Sequence, residues 1–379
     1  MLTDFNLSRR EFLGTTIGII SSLTALPGIF DFLNRGFKDV NTKFVKQAQY
    51  YEKLGDRRVR CTLCPKFCIT RDGNRGCCSV RENRKGTYYT LVYGSAAAIH
   101  RDPIEKKPLF HFLPGSWALS IGTAGCNLRC TFCQNWELSQ SLPENLSSSA
   151  LFPQQAVELA KQSRSRSIAG TYNEPIIFFE YIKDIARIAK PAGIKTIMIS
   201  GGYINTEPLK EICKYMDAIK IDLKSMNDKF YRTMCSGSLK PVLNALITIK
   251  NSGTWLEIVN LVIPSRNDSP GDIKKMAMFI KENLGDDVPL HFTRFFPRYK
   301  VKNLPSTPTS TLVRCREIAI AEGLKFVYMG NIPGNPGENT YCPRCGELLL
   351  QRYGMSLVKN NLEQGKCKFC GEVIPGVWN

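Results

Sequence analysis

The stretch "WALSIGTAGCNLRCTFCQNWE", residues 117–137, joins a predicted β-strand to a loop that carries three cysteines. The strand, WALSIG, is an apolar run of the kind that parallel strands covered on both faces show. Cys126, Cys130 and Cys133 then follow with the spacing C-x3-C-x2-C. Three thiolates can hold a metal centre, yet protein metal sites usually take four ligands. The loop therefore predicts a centre whose fourth position belongs to another group.

Five more strands are predicted downstream, separated by stretches with helical patterns. They are SIAGTY from residue 167, KTIMIS from 195, AIKIDL from 218, WLEIVNLVI from 255 and LHFTRF from 290. One intervening helix is expected to begin at Pro153, since proline suits the first helical position. A polar helix is predicted earlier, over residues 38–58. Strands that alternate with helices indicate a parallel α/β domain, an open barrel or a doubly wound sheet, with the active site in the loops after the strand ends.

Composition and charge narrow the class of protein without choosing a partner. The 379 residues are 43% hydrophobic and 22% charged, which excludes general disorder and allows a large core. Lysine and arginine exceed acidic residues by 51 to 33, giving a formal charge of +18. Such a surface suits nucleic acid, an anionic membrane or an acidic protein. The sequence has no RNA-recognition signature and no arginine-rich run, so a solvated basic surface is an equal alternative.

The first 36 residues have the features of a targeting segment. Arg9 and Arg10 precede an apolar stretch from Leu13 to Phe30, which resembles a twin-arginine export signal. Pro27 and several glycines and serines interrupt that stretch, so it makes a poor permanent membrane span. We expect residues 1–36 to be a twin-arginine-like leader or membrane tether, with a plain helix as the alternative. The location is accordingly export or tethering, and otherwise the cytoplasm.

Twelve of the fifteen cysteines are concentrated in three groups, and tight C-x2-C pairs favour metal binding over disulfides. Cys213, Cys235 and Cys315 stand alone and are interpreted as ordinary buried thiols. The C-terminal group follows the pattern C-x2-C-x21-C-x2-C, each pair closed by a glycine. This predicts a zinc ribbon over residues 336–379, with a mononuclear iron site or redox dithiols as alternatives. Its ligands would be Cys342, Cys345, Cys367 and Cys370.

The loop at residues 126–133 carries a more specific resemblance. Gln134 and Asn135 are poor zinc ligands, and no histidine lies in the loop. The spacing, with Phe132 before the last cysteine, resembles the signature of radical S-adenosylmethionine (SAM) enzymes. That resemblance implies a 4Fe–4S cluster on three cysteines, with SAM bound to the fourth iron. It also implies that one electron from the cluster cleaves SAM and releases a 5′-deoxyadenosyl radical.

The resemblance extends over residues 61–335, which are similar to the branch related to pyruvate formate-lyase activating enzymes. The segments "DPIEKKPLFHFLPGS", "GTAGCNLRCTFCQNWELSQ", "TYNEP", "IDLKSMND" and "RFFP" resemble the AmmeMemoRadiSam-system radical enzymes. The family fold implied is a partial (β/α)6 TIM-like barrel. We expect this core to span residues 101–335, between an N-terminal cysteine-rich region at 37–100 and the C-terminal ribbon.

Family position implies roles for residues at several strand ends. Phe132 would lie against the adenine, and Asn173 and Glu174 would meet the methionyl amino group of SAM, where a carboxylate suits an ammonium. Glu174 alternatively serves only as an acid at a helix N-terminus. Ser200 and Gly201 would let the backbone approach the ligand.

Charged residues near the other strand ends have similar implied roles. Lys224 would contact the methionyl carboxylate, with Asp222 beside it on one face of the strand. The alternative is that the two simply pair with each other. Arg294 would be a further ligand contact. The charges upstream of the first strand suggest either the barrel mouth or a solvated face; they are Asp102, Glu105, Lys106 and Lys107.

The N-terminal cysteines also match the related family, which carries C-x-x-C-P-x-x-C and a later cysteine before V-R-E-N. That match assigns Cys61, Cys64, Cys68 and Cys78 as four ligands and leaves Cys77 as the spare. Four ligands indicate a closed site, for zinc or for a second iron–sulfur cluster.

The leading hypothesis is a radical SAM enzyme that abstracts hydrogen from a macromolecule. The resemblance to activating enzymes favours a protein substrate and implies a low-potential electron donor of ferredoxin or flavodoxin type. The first alternative directs the same chemistry at RNA, for which the basic charge and the ribbon argue. The second is a non-enzymatic zinc or iron–sulfur module for nucleic-acid binding or electron transfer.

Overall fold

A computed structural model describes residues 41–379. The predicted leader, residues 1–36, lies outside this range, so the export or tethering hypothesis stays a prediction. Among the described residues, no helix combines the length and apolar character that crossing a membrane requires.

The centre of the fold is one eight-stranded sheet in which chain neighbours are spatial neighbours. Strands β2 to β8 run parallel, and β1 pairs antiparallel with β2 at one edge. The strands are β1 Ala98–Pro103, β2 Trp117–Gly122, β3 Ser167–Gly170, β4 Lys195–Ser200, β5 Ala218–Asp222, β6 Trp255–Val262, β7 Leu290–Arg294 and β8 Val327–Gly330.

All six predicted strands are confirmed as β2 to β7. The two edge strands, β1 and β8, were not among them. The sequence of β1, AIHRDP, contains no apolar run, and only one of the six residues of this edge strand is buried. The four-residue β8 directly precedes a Gly- and Pro-rich segment, which obscures its pattern. Since the sheet has two edges, its strand order is that of an open sheet.

Six α-helices alternate with the parallel strands, one in each connection from β2 to β8. Parallel neighbours require such crossover connections. The first begins at Pro153, as predicted. The helices are α1 Pro153–Gln162, α2 Phe179–Ala189, α3 Thr206–Cys213, α4 Leu239–Ser252, α5 Pro270–Leu284 and α6 Thr309–Ala321. Shorter helical segments are Trp136–Ser139, Asp228–Phe230 and the π-turn Tyr231–Cys235.

The predicted polar helix over residues 38–58 is wrong for the described part, residues 41–58. That part contains a short 3-10 turn, Thr42–Phe44, and then extended segments. Tyr51–Lys53 pairs with the cysteine-bearing strand Val59–Cys61. This strand pairing overrides the helical propensity of the segment. The N-terminal strands are Lys46–Gln47, Tyr51–Lys53, Val59–Cys61, Ile69–Thr70, Arg81–Arg84, Thr87–Thr90 and Ser95–Ala96, and Ser149–Ala150 pairs with the last of these.

A buried ion pair connects this N-terminal region to α2. Arg81 Nη2 donates to both carboxylate oxygens of Glu180 at 2.6 Å, and both side chains are almost fully buried. The backbone N–H of Gln49 donates to the same carboxylate at 2.6 Å. Because removal of one partner would leave a buried charge unpaired, this pair couples the two elements strongly.

The C-terminal segment, residues 336–379, packs against the end of the sheet where the parallel strands begin. His111 bridges the two parts, with Nδ1 at 2.6 Å from the Pro375 carbonyl and Nε2 at 2.6 Å from Tyr328 Oη. Its ring also stacks near Trp255, the first residue of β6. The C-terminal strands are Thr340–Tyr341, Leu348–Tyr353, Ser356–Asn360, Leu362–Glu363 and Lys366–Cys367. The opposite end of the sheet is therefore left for the cysteine loop.

Candidate active site

The loop after β2 brings its three cysteines to one cavity of about 330 Å³ at the carboxyl ends of the strands. Cys126, Cys130 and Cys133, here called the cavity cysteines, all contribute to its wall. Residues from the ends of β3, β4 and β5 complete the wall. Small-molecule sites in parallel α/β folds lie at this end of the sheet, and the volume is at the small end of their range.

Contacts from two other parts of the chain hold the loop in place. Asn173 Nδ2 donates to the Gly125 carbonyl at 2.8 Å, and its Oδ1 accepts from Thr123 N at 3.2 Å. On the other side, Arg129 N donates to the Cys235 carbonyl at 2.9 Å. Gly125 has a φ of +85°, which a residue with a side chain rarely adopts. Asn173 thus uses its amide to position the loop.

The cavity cysteines do not converge on a single ion. In residues 41–379, only the C-terminal cysteines bring three or more ligand atoms within 4.8 Å of one another. A multi-iron cluster holds its cysteine sulfurs further apart than one ion does, because each sulfur binds a different iron. Burial raises the pKa of Cys126 well above that of an ordinary thiol, so its thiolate needs a bound cation for stability. Both observations fit an iron–sulfur cluster.

Glu174 is the buried acid of the cavity. It accepts from Ser200 Oγ at 2.7 Å and from Gly201 N at 2.8 Å. Burial raises its pKa, although these hydrogen bonds oppose the rise. The residue also caps the 3-10 turn Pro175–Phe178 through Ile176 N. The interpretation of Glu174 as an acid at a helix N-terminus is therefore confirmed, whereas its contact with SAM stays a prediction; Ser200 orients the carboxylate.

The end of β5 places charges of both signs on the cavity wall. Asp222 Oδ2 lies 3.4 Å from Lys224 Nζ, and Oδ1 pairs with Lys220 Nζ. The three side chains share a face because strand residues alternate. The expected pairing of Asp222 with Lys224 is present. Lys220 was not a predicted site residue, although the same two-residue alternation would have indicated it.

The charge run upstream of β2 divides between the cavity and the interior. Lys106 and Lys107 line the cavity and donate to Asp102 at 2.7 and 2.6 Å. Tyr172 donates to the same carboxylate at 2.5 Å. Burial would raise the pKa of Asp102, but these three donors hold it well below its ordinary value. Glu105 points elsewhere and accepts from the backbone N–H of Gly115.

Two residues predicted to contact the ligand, Phe132 and Arg294, contact other protein groups in the structure. A third residue, Cys235, lies closer to the cavity cysteines than the sequence indicated. Phe132 is buried, with its ring centroid 5.7 Å from that of Phe230. Arg294 donates to a loop carbonyl at 2.8 Å. Cys235, interpreted from sequence as an ordinary buried thiol, has its side chain beside that of Cys130. No spacing motif connects those two cysteines, so only the packing of Tyr231–Cys235 against the loop reveals their contact.

The C-terminal cysteines form a compact group. The Sγ atoms of Cys342 and Cys370 are 3.6 Å apart, and those of Cys345 and Cys367 are 3.7 Å apart. A tetrahedral ion with bonds to sulfur of about 2.3 Å would place the sulfurs about 3.8 Å apart. These four residues can therefore hold one metal ion.

The N-terminal cysteines gather beside the cavity loop. Cys61, Cys64 and Cys78 are buried, Cys68 is half-buried and Cys77 is exposed. Cys77 lies next to Cys68, with its backbone N–H donating to Cys68 Sγ at 3.4 Å, so its assignment as the spare thiol stays a prediction.

Comparison with known proteins identifies the family. The family described as the radical SAM superfamily matches residues 120–280. Over 332 residues the chain is 44% identical to the uncharacterized protein MJ0808 of Methanocaldococcus jannaschii, covering 87% of this chain and 99% of that protein. It is 28% identical over 163 residues to the pyruvate formate-lyase-activating enzyme of Clostridium pasteurianum, covering 41% and 66% of the two chains.

A radical SAM methyltransferase from Sphaerobacter thermophilus gives a TM-score of 0.47 at 15% identity, covering 60% of this chain and 71% of that one. Membership implies a 4Fe–4S cluster and SAM, and the cavity cysteines fit the cluster. The chain belongs to the radical SAM superfamily and is homologous to the pyruvate formate-lyase activating enzymes.

Proposed function

We propose that this protein is an activating-enzyme-like radical SAM enzyme that acts on a protein substrate within an AmmeMemoRadiSam-type system. The chemistry supplied at the site, when the cluster and SAM are bound, is reductive cleavage of SAM and hydrogen abstraction by the resulting 5′-deoxyadenosyl radical. One observation supports this most directly. Three cysteines, a buried carboxylate and a lysine line one cavity, and the three cysteines do not converge on a single ion.

The residues around the cavity have complementary tasks. The cavity cysteines would hold the cluster, and the hydrogen bond from Asn173 to the Gly125 carbonyl would keep the loop in position. Glu174 would face the methionyl ammonium of SAM, and Lys224 its carboxylate, since each pairing is a charge-assisted hydrogen bond. Asp222 would orient Lys224. Phe132 and Arg294 would define the outer part of the ligand site on a sheet curved as a partial (β/α)6 barrel.

The protein substrate is inferred from the homologous activating enzymes. Lys106 is partly exposed at the cavity wall, where it would face an approaching acidic segment of that substrate, whereas Lys107 is buried against Asp102. The C-terminal cysteines would bind zinc as a ribbon, because a single tetrahedral ion matches their sulfur separations. That ion would stabilise the segment that covers the far end of the sheet.

The test is anaerobic reconstitution with iron and sulfide, followed by reductant, SAM and measurement of 5′-deoxyadenosine. Glu174→Gln should raise the Kd for SAM by about 10- to 100-fold, the equivalent of a lost charged hydrogen bond of about 1.5–3 kcal/mol. Glu207→Gln, at an exposed carboxylate, is the matched control.

An intact cluster without 5′-deoxyadenosine would overturn the enzymatic proposal and favour a binding or electron-transfer module. Photo-crosslinking with separated protein and RNA fractions tests the substrate class. Capture of RNA alone would overturn the protein part and leave the radical chemistry standing.

A further inference from the structure

The N-terminal cysteines form a second thiol site directly against the first. We infer that Cys61, Cys64, Cys68 and Cys78 bind a second iron–sulfur cluster, through which an acidic donor protein passes electrons to the cavity cysteines. The inference rests on the proposed function, because the radical chemistry requires an electron at the cavity.

The second site is built by the fold. Cys61 ends a strand that pairs with Ile69–Thr70, and its N–H donates to the Cys68 carbonyl at 2.9 Å. Cys78 belongs to the same buried core as Cys61.

The distances between the sulfurs distinguish a site for one zinc ion from a site for an iron–sulfur cluster. The C-terminal cysteines show how this fold arranges four thiols for one ion, with sulfurs 3.6 and 3.7 Å apart across the group. Within residues 41–379, the N-terminal set does not bring even three sulfurs within 4.8 Å of one another. The cavity cysteines, which fit an iron–sulfur cluster, likewise do not bring three sulfurs within 4.8 Å of one another. The N-terminal cysteines therefore resemble the cluster site and differ from the single-ion site.

The two sites are in direct contact through the backbone. The Cys78 carbonyl lies so close to Gly125 that an added Cβ at Gly125 would clash with it, and that Cβ would be 2.7 Å from Val80 Cγ1. Arg129, within the cavity loop, donates to the Cys77 carbonyl at 2.5 Å and to Ser79 Oγ at 3.1 Å. The two cysteine-bearing segments therefore pack directly against each other, and this is the contact across which we infer that the electron passes.

The outer side of the second site suits a transient acidic partner. Phe67 and Ile69 flank Cys68 and are 50% and 55% exposed. Four basic residues of the segment 57–85 are exposed, against one exposed acid, Asp72. Arg57, Arg71 and Lys85 are exposed around one turn, where Asn83 donates to the Arg57 carbonyl and Lys85 N donates to Asp72. An apolar centre with a basic rim complements an acidic low-potential carrier and accelerates its encounter.

The electron balance is simple. A reduced donor of flavodoxin or ferredoxin type loses one electron, the second cluster takes it up and passes it on, and the site at the cavity cysteines gains it. No bond forms or breaks in this relay, and no proton moves.

Metal analysis of three proteins tests the site itself. Wild type should contain about eight acid-labile sulfides per chain, four for each 4Fe–4S cluster. The triple variant Cys126→Ala/Cys130→Ala/Cys133→Ala should retain about four and show an iron–sulfur EPR signal after reduction. The triple variant Cys61→Ala/Cys64→Ala/Cys68→Ala should also retain about four, which reports that its cavity site still folds. A mononuclear iron at the C-terminal cysteines would not affect this count, because such a site contains no acid-labile sulfide.

If the triple variant of the cavity cysteines contains zinc but no acid-labile sulfide, the proposal of a second iron–sulfur cluster is wrong. That result is distinct from failure of the proposed function, which would appear as wild type with full sulfide content and no 5′-deoxyadenosine under dithionite.

A charge reversal tests the electron path. Arg71→Glu should lower the ratio of the flavodoxin-driven rate to the dithionite-driven rate by at least threefold at low salt, and by less at high salt. Lys359→Glu, an exposed lysine in the C-terminal segment, is the matched control and should leave the ratio unchanged. Equal ratios in both variants and wild type would refute docking at this surface.

Discussion

The contact between Gly125 and the Cys78 carbonyl predicts that Gly125→Ala damages both stability and cofactor retention. Gly125 has a φ of +85°, and a side chain in this left-handed conformation costs about 1–2 kcal/mol. A methyl group would also collide with a backbone carbonyl and with Val80. Overpacking of this kind adds about 1–3 kcal/mol, because a carbonyl held in place by its own chain cannot turn aside like a flexible side chain.

Gly253→Ala is the control that isolates the collision. Gly253 has a φ of +76°, and an added Cβ would meet no heavy atom within 4 Å. Its substitution should therefore cost only the conformational part, about 1–2 kcal/mol. The difference between the two variants, about 1–3 kcal/mol, measures how tightly the N-terminal cysteine region presses on the cavity loop.

Urea unfolding of the metal-free proteins measures the stabilities, and labile sulfide after reconstitution measures cofactor retention. Gly125→Ala should lose sulfide, whereas Gly253→Ala should match wild type. If the two variants lose equal stability and retain equal sulfide, the contact between the regions does not constrain the loop and the reasoning fails.

Three further predictions follow from buried groups. Arg81→Met should lower the free energy of unfolding in urea by about 3–5 kcal/mol, because Glu180 is left buried and unpaired; adding Glu180→Leu should recover most of the loss, and a single-variant loss below about 1 kcal/mol would contradict this. Burial lowers the pKa of His111 to about 4 from 6.5, so the unfolded chain binds the extra proton between these values. The free energy of unfolding should therefore fall by up to about 3 kcal/mol as the pH drops from 6.5 to 4, and His111→Gln should remove that part of the pH dependence in urea titrations. Cys235→Ala should keep the iron and sulfide content of wild type, as should the control Cys315→Ala, and loss of a whole cluster from the first variant alone would make Cys235 a ligand.

Local sequence patterns predicted the central part of the fold. Six strands, the start of the first helix at Pro153 and the position of the cysteine loop after β2 follow from apolar runs, proline and cysteine spacing. Each of these signals lies within about a dozen consecutive residues, where periodicity and propensity act directly. The edge strands lack such signals, since one has a single buried residue and the other is short.

Some features of the candidate site could likewise be predicted from the sequence, and others could not. The cavity cysteines and the charged pair Asp222 and Lys224 could be predicted, because each set is close in sequence and shares a loop or a strand face. The hydrogen bonds of Asp102 with Tyr172 across 70 positions could not, and the same is true of the contact between Cys130 and Cys235.

By itself the sequence determined the groups of thiols, the order of strands and helices, and the family resemblance. Only the tertiary structure decided which thiol group is compact enough for one ion, and that the N-terminal cysteines lie against the cavity loop. The physical reason is that local patterns depend on neighbours along the chain. Distances between distant segments depend instead on how the sheet and its flanking regions pack together.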